Sequence, residues 1–166
     1  MKIIGLTKGY EAIVDDADFE WMSAFKWYAQ PSTRGSVYAY RSFTLDGIKQ
    51  AESMHRKLMG VTSSDVQIDH RNHNGLDNRR GNLRLATRLQ NGRNRQKKKV
   101  SSSVYKGVAY WSVRGGSNGR WGAYIRIKGK TKHLGFFPNE REAALAYNDA
   151  AMEAHGDFAC LNQVRL

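Results

Sequence analysis

Ile68-Asp69-His70-Arg71-Asn72-His73-Asn74-Gly75-Leu76-Asp77-Asn78-Arg79-Arg80-Gly81-Asn82-Leu83-Arg84-Leu85-Ala86-Thr87-Arg88-Leu89-Gln90-Asn91 is the stretch on which the reading of this chain turns. It predicts a short strand ending at Asp69-His70, a polar loop, a second short strand near Leu83 to Leu85, and then a helix. Thr87 with Gln90 three residues later supplies a capping box that starts that helix and puts Asn91 on its first turns. An Asp-His pair, an Asn-rich loop and a helix-borne Asn thereby converge in a small volume. Neighbours on an extended strand point to opposite sides, so Asp69 and His70 can serve one reacting group only where the strand bends or ends.

Upstream, residues 1–60 predict a small β-rich module. Glu11 to Val14 and Val37 to Phe43 read as strands, and Leu45-Asp46-Gly47 as the turn of a hairpin leading into Met54 to Met59. Phe19, Trp21, Phe25, Trp27 and Tyr28 lie close in sequence and are expected to form its core. This module reads as a structural platform without chemistry, and His55 as a buried, hydrogen-bonded histidine. Residues 61–96 carry the polar site. Residues 97–103, basic and then Ser-rich, read as a flexible linker.

Downstream, residues 104–162 predict strands followed by one helix. In Trp121 to Lys128 the alternation puts Trp121, Ala123, Ile125 and Ile127 on one face and Tyr124, Arg126 and Lys128 on the other. Lys128-Gly129-Lys130 turns into a strand in which Leu134 and Phe136 share a face, and Thr131 and His133 the opposite one. Asn139 with Glu142 is a second capping box, opening a helix that closes at Gly156. Its stripe of Ala143, Tyr147, Ala150, Ala151 and Ala154 lets it lie close to the sheet. The fold class expected is α+β: a platform, a strand-strand-helix site, and a three-stranded sheet on one helix.

Charge decides the class of partner. The 166 residues hold 27 Lys and Arg against 15 Asp and Glu, a net charge of +12, with a pI near 10.0. A polyanion is the default ligand for such a chain, because each neutralised phosphate releases counterions. The first 60 residues are nearly neutral. Arg79 to Lys99 carries Arg79, Arg80, Arg84, Arg88, Arg93, Arg95, Lys97, Lys98 and Lys99 without one acid, which reads as a nucleic-acid contact. Cys160 is the sole cysteine, so a disulfide framework or a cysteine zinc site is excluded and a reducing compartment fits. No apolar run approaches the ~20 residues of a membrane span, and the chain is expected in the cytoplasm.

Residues 68 to 91 resemble the HNH nucleases, in the subgroup whose last motif position is Asn. The resemblance implies a ββα-metal motif, with Asp69 and Asn91 as metal ligands, His70 as general base and Asn82 as the residue bracing the loop. A carboxylate and an amide oxygen are hard donors that suit Mg²⁺, with Mn²⁺ as a substitute. Histidine suits the base because its ordinary pKa lies near working pH. His73, among turn-forming residues, offers at most a phosphate contact.

Residues 104 to 162 resemble the Apetala-two (ethylene-response-factor type) DNA-binding domain, through Tyr105-Lys106-Gly107-Val108, Trp121 to Arg126, Leu134-Gly135-Phe136, Glu142 to Tyr147 and Leu161-Asn162. The resemblance implies a sheet laid in the DNA major groove with the helix behind it. Ala109 and His133 stand where that family has Arg and Trp, so a base preference does not carry over. Tyr124, Arg126, Lys128 and His133 are the expected DNA contacts, with Trp111, Arg114 and Arg120 beside them, and Arg93, Arg95, Lys97 and Lys98 in the basic run. The expected activity is hydrolysis of double-stranded DNA, by nicking or a double-strand cut, in the manner of homing endonucleases, from a monomer or weak dimer. A DNA-binding regulator with an inactive nuclease fold is disfavoured because all four key positions are occupied. An RNA-directed nuclease is disfavoured by the resemblance to a duplex-DNA reader.

Overall fold

The computed structural model describes residues 1–33, 35–97, 102–112 and 119–164; two expected DNA contacts, Lys98 and Arg114, lie outside the described residues. The apolar alternations in the sequence are short, and so are the strands: among the described residues they form four small antiparallel sheets, two of two strands and two of three. With the helices this makes a mixed α+β fold. The chain divides into two units, Met1–Asn91 and Gly92–Leu166.

In the first unit β1 (Lys2–Gly5) pairs with β2 (Glu11–Val14), and α1 (Asp16–Ser23) follows. The sequence reading had named neither β1 nor α1. Strands β3 (Tyr28–Pro31), β4 (Val37–Leu45) and β5 (Ile48–Ser53) form a meander whose second hairpin turns at Asp46-Gly47 as expected, and α2 (Met54–Met59) follows directly. Then come β6 (Gln67–His70), β7 (Leu83–Ala86) and α3 (Arg88–Arg93). The Thr87 capping box is present: the Thr87 amide donates to Gln90 Oε1 at 2.8 Å and the Gln90 amide to Thr87 Oγ1 at 3.2 Å.

The expected five-ring core is corrected by the packing. Only Trp27 of the five is buried, its Nε1 donating to the Met22 carbonyl at 2.8 Å. Phe19 and Phe25 pack against the core from its edge, and Trp21 is exposed. Ile4, Val14, Met22, Met54, Leu58, Ile68 and Leu83 fill the centre instead. A side chain such as Met22 or Met54, wholly buried, contributes roughly 2 kcal/mol. Ile68 and Leu83 come from the polar segment and the rest from residues 1–60, so the two segments share one core.

In the second unit β8 (Val108–Trp111), β9 (Arg120–Ile127) and β10 (Lys130–Phe137) make a sheet in the order β10-β9-β8. Against its apolar face lies α4 (Glu140–His155), through Ala143, Ala144, Tyr147 and Ala151. Its capping box is as expected, the Glu142 amide donating to Asn139 Oδ1 at 2.9 Å. The register of β10 corrects one expectation. A β-bulge between His133 and Gly135 inserts Leu134 as an extra residue, which reverses the alternation beyond it. Phe137 therefore packs inward with Leu134, and Phe136 is half exposed on the opposite face. Gly135 takes φ +137 in the bulge, a conformation that residues with a Cβ rarely adopt.

The division at Asn91 and Gly92 falls before the Ser-rich stretch expected as linker. Lys106 Nζ donates to the carbonyls of Arg93 and Arg95 at 2.6 and 2.7 Å, and Lys97 Nζ to those of Tyr105 and Val108. Ser103 Oγ accepts from the Tyr105 amide at 2.9 Å. These bonds tie 93–97 and 103 to the second unit.

Candidate active site

Strand β6 ends at His70, and the chain turns at once: the Arg71 amide donates to the Asn82 carbonyl at 2.9 Å and the His73 amide to the His70 carbonyl at 3.0 Å. The strand thus ends at the Asp69-His70 pair, and the two side chains meet different neighbours. Both are 6% exposed. Asp69 lies opposite Arg84 in the β6–β7 pair, and its carboxylate accepts from Arg84 Nε at 2.8 Å and also from Nη2. His70 turns toward the platform, where its ring meets Tyr38 (5.8 Å between centroids) and His55 (5.2 Å). Burial pushes the His70 imidazole below its ordinary pKa, and it outweighs the opposing pull of the Asn78 amide and the Asp69 and Asp77 carboxylates.

The loop between the strands is held by amides. Asn82 Oδ1 accepts from the Asn72 amide at 3.1 Å, while its Nδ2 donates to Asn72 Oδ1 at 3.0 Å and to the Asp77 carbonyl at 2.7 Å. Asn72 Nδ2 donates in turn to Asp77 Oδ2 at 2.8 Å. A side-chain amide carries both a donor and an acceptor, which is why Asn suits this double reach. The platform grips the same loop: the Ile13 amide donates to the Leu76 carbonyl and the Asn78 amide to the Ile13 carbonyl, each at 2.8 Å. Asn91 sits on α3, which leaves β7 just after Ala86; Ala86 faces Gln67, two residues from Asp69.

Much of the basic run is already committed. Arg84 is buried on Asp69. Arg79 makes a bidentate pair with Asp77 at 2.8 and 2.6 Å, and Arg80 one with Asp18 at 2.8 Å twice. These guanidiniums hold both carboxyls below the usual range. Lys97 is spent on two carbonyls, as above. Arg88 and Arg95 are exposed, with Arg93 half-buried. The sequence run carried no acids of its own, but the acids that meet it come from elsewhere in the chain.

The HNH endonuclease family model matches residues 59–93, which contain all of β6, the braced loop, β7 and α3. An HNH endonuclease of Acanthamoeba polyphaga mimivirus, described as uncharacterized, is 33% identical over 162 residues, covering 98% of this chain and 80% of the relative. The chain belongs to the HNH endonuclease family. It is accordingly a nuclease that acts on DNA. A second similarity is partial: an AP2/ERF and B3 domain-containing transcription repressor of Arabidopsis thaliana is 40% identical over 73 residues, 44% of this chain and 19% of the relative. No solved structure matches significantly.

The sequence reading of this HNH nuclease did not anticipate Tyr38 and His55 at His70, Arg84 at Asp69, or the buried Asp77 and Asn78 beneath the loop. His55 was expected to be fully hydrogen-bonded; Ser53 Oγ meets its Nε2 at 3.1 Å, but its Nδ1 is buried without a partner. Nothing in a residue's local sequence signals a ring contact across thirty positions. His73 takes a left-handed backbone in the loop, φ +64.

On the second unit's outer sheet face Trp111, Tyr124, His133 and Phe136 form a row of rings, with centroid separations of 6.3, 4.8 and 4.6 Å along it. Arg120, Arg126 and His133 are exposed; Arg126 Nε donates to the Gly129 carbonyl at 3.1 Å. Lys128 does not extend that face as alternation suggested, because it sits in the two-residue turn between β9 and β10 with φ +48.

Proposed function

We propose that the protein hydrolyses phosphodiester bonds in double-stranded DNA with one divalent cation, held by Asp69 and Asn91, and with His70 as general base. The observation that carries this reading is the pair of buried side chains, Asp69 and His70, at the end of a strand whose following loop is braced by Asn82. Among the described residues no group of three or more His, Cys, Asp and Glu could hold a metal ion. The proposed pair is of a different kind, one carboxylate and one amide, and their hard oxygens fit a cation that takes its remaining positions from water and phosphate. Bound there, Mg²⁺, or Mn²⁺ in its place, would polarise the phosphate and stabilise the leaving oxygen.

The chain's own residues account for the rest. Burial keeps the His70 imidazole neutral near pH 7, in the form that accepts a proton from the attacking water. The water oxygen bonds to phosphorus, the bond to the leaving sugar oxygen breaks, and the proton rests on His70. Arg84 fixes the Asp69 carboxylate, and Asn82 fixes the loop. The second unit grips the duplex through Tyr124, Arg126 and His133, with Lys128 from the adjoining turn and Arg120, Arg93 and Arg95 adding phosphate contacts; the partial likeness to an AP2/ERF protein supports this. A second binding unit raises the effective concentration of the nuclease at its target. One such centre serves one phosphate at a time, so a double-strand cut needs a weak dimer or a repositioned monomer. We assign it a homing-type role, and a host-cell cytoplasm agrees with the viral relative.

Supercoiled plasmid incubated with Mg²⁺ tests the proposal. The wild type should nick or linearise it, and His70→Ala should be slower by roughly 10³-fold with DNA affinity retained. Intact plasmid with both proteins, across many DNA sequences, would leave only a binding role.

A further inference from the structure

We infer that Tyr38 and His55, both from the N-terminal segment, are positioning residues for His70, their rings wedging its imidazole at the end of β6. The inference rests on the reading of His70 as the base. It adds two residues that lie outside the 59–93 stretch matched by the family model.

Three rings close on one another. Tyr38 to His70 and Tyr38 to His55 are each 5.8 Å between centroids, at interplanar angles of 53° and 62°, and His55 to His70 is 5.2 Å at 82°. Packing of this kind, two pairs edge-to-face and the Tyr38–His70 pair tilted, restricts the tilt of each ring. Two contacts from different elements, β4 and α2, leave the His70 imidazole little freedom to swing about its Cβ bond.

Each wedge is itself held. Ser53, buried at the end of β5, sets the His55 ring through the 3.1 Å contact of its Oγ with Nε2. Tyr38 is seated by Gly75 of the nuclease loop: a Cβ at that position would stand 2.6 Å from Tyr38 Cδ1 and Cε1 and 2.5 Å from the Val37 carbonyl. The glycine thus lets the loop close over the Tyr38 ring. His55 is no proton carrier, because burial first, and then the charges of His70 and Arg56, push its pKa down to about 3. Its Nδ1 stays buried with no hydrogen-bond partner.

The test is the single-turnover cleavage rate of plasmid DNA by the full chain at saturating protein with Mg²⁺, read beside DNA affinity and the melting temperature. His55→Ala and Tyr38→Ala should each slow cleavage by roughly 10–10²-fold, the scale of a misplaced catalytic group, with DNA Kd changed by less than about twofold. His55→Phe and Tyr38→Phe, which restore a ring, should bring the rate back to within about threefold of wild type. Gly75→Ala should reproduce the slow phenotype without touching either histidine. Full-rate cleavage by the alanine variants overturns the inference, as does a loss that His55→Phe and Tyr38→Phe fail to rescue. His70→Ala, run in parallel, separates the two readings. If it cleaves at the wild-type rate, the base assignment falls and the wedge with it; if it is inactive while His55→Ala and Tyr38→Ala are fast, only the wedge falls.

Discussion

The two units treat the same residue types in opposite ways. In the first, Arg79, Arg80 and Arg84 lie against Asp77, Asp18 and Asp69. On the outer sheet face of the second, Arg120 and Arg126 are exposed beside a row of rings. Only Arg84 of the three is buried, and stripping a cation of water costs several kcal/mol unless it is paired. Arg79 and Arg80 stay partly exposed but are held by carboxylates, whereas an exposed cation not held by a carboxylate remains available to phosphate. Cationic charge counted along a sequence therefore overstates what a ligand meets. In this nuclease the arginines nearest the candidate site mainly shape it, and those on the sheet are the stronger candidates for recognition.

Arg84→Met breaks the contrast most severely. It strands the Asp69 carboxylate in a buried site and should cost about 3 kcal/mol of stability, measured by urea unfolding. Adding Asp69→Asn should restore most of that stability while cleavage stays lost. A single variant as stable as wild type would mean that Asp69 does not depend on its partner.

Arg126→Ala sharpens the other side. The melting temperature should not move, since the side chain is exposed, while DNA Kd should rise about tenfold and the salt slope of binding should shrink by about one. Single-turnover cleavage at saturating protein should be unchanged. Unaltered affinity at physiological salt would remove this face from the DNA contact.

The effect of pH is the smallest near neutrality and grows as acid is added. Folded His55 is pushed down to about 3, whereas unfolded it returns toward 6.5. Between those values the unfolded chain binds more protons, so stability falls as pH drops through the window, by at most ~1.4 kcal/mol per pH unit from this group. The lowered Asp18 and Asp77 act in the same direction at lower pH: their contribution is present above 3.8 and is lost as pH falls through their folded values. His55→Phe should flatten the upper part of the acid limb by one proton. An identical pH profile would show that His55 titrates alike in the folded and unfolded chain.

Local signals were legible in the sequence wherever the physics is local. The capping boxes at Thr87 and Asn139, the Asp46-Gly47 turn and the alternation of β9 each depend on residues within a few positions of one another, and all are present. The strand ending at His70 falls in the same class, whereas the role of Asn82 as a brace follows from the resemblance to the HNH nucleases. The bulge at Leu134 escaped because an inserted residue leaves no mark in an apolar pattern until pairing fixes the register. The five-ring core failed because proximity in sequence does not set which face of α1 or β3 turns inward. Tyr38, His55 and Arg84 were invisible as neighbours of His70 and Asp69 because those contacts arise only when separate elements pack.

Ile13 runs alongside Asp77 as a parallel bridge, clamping the loop between β6 and β7 from a strand more than sixty positions earlier. This lattice sets the size of the cassette that can be moved between proteins. A transplant of residues 59–93 would arrive without Ile13, Asp18, Tyr38 or His55, while the span from Met1 to Asn91 carries every one of those supports with it.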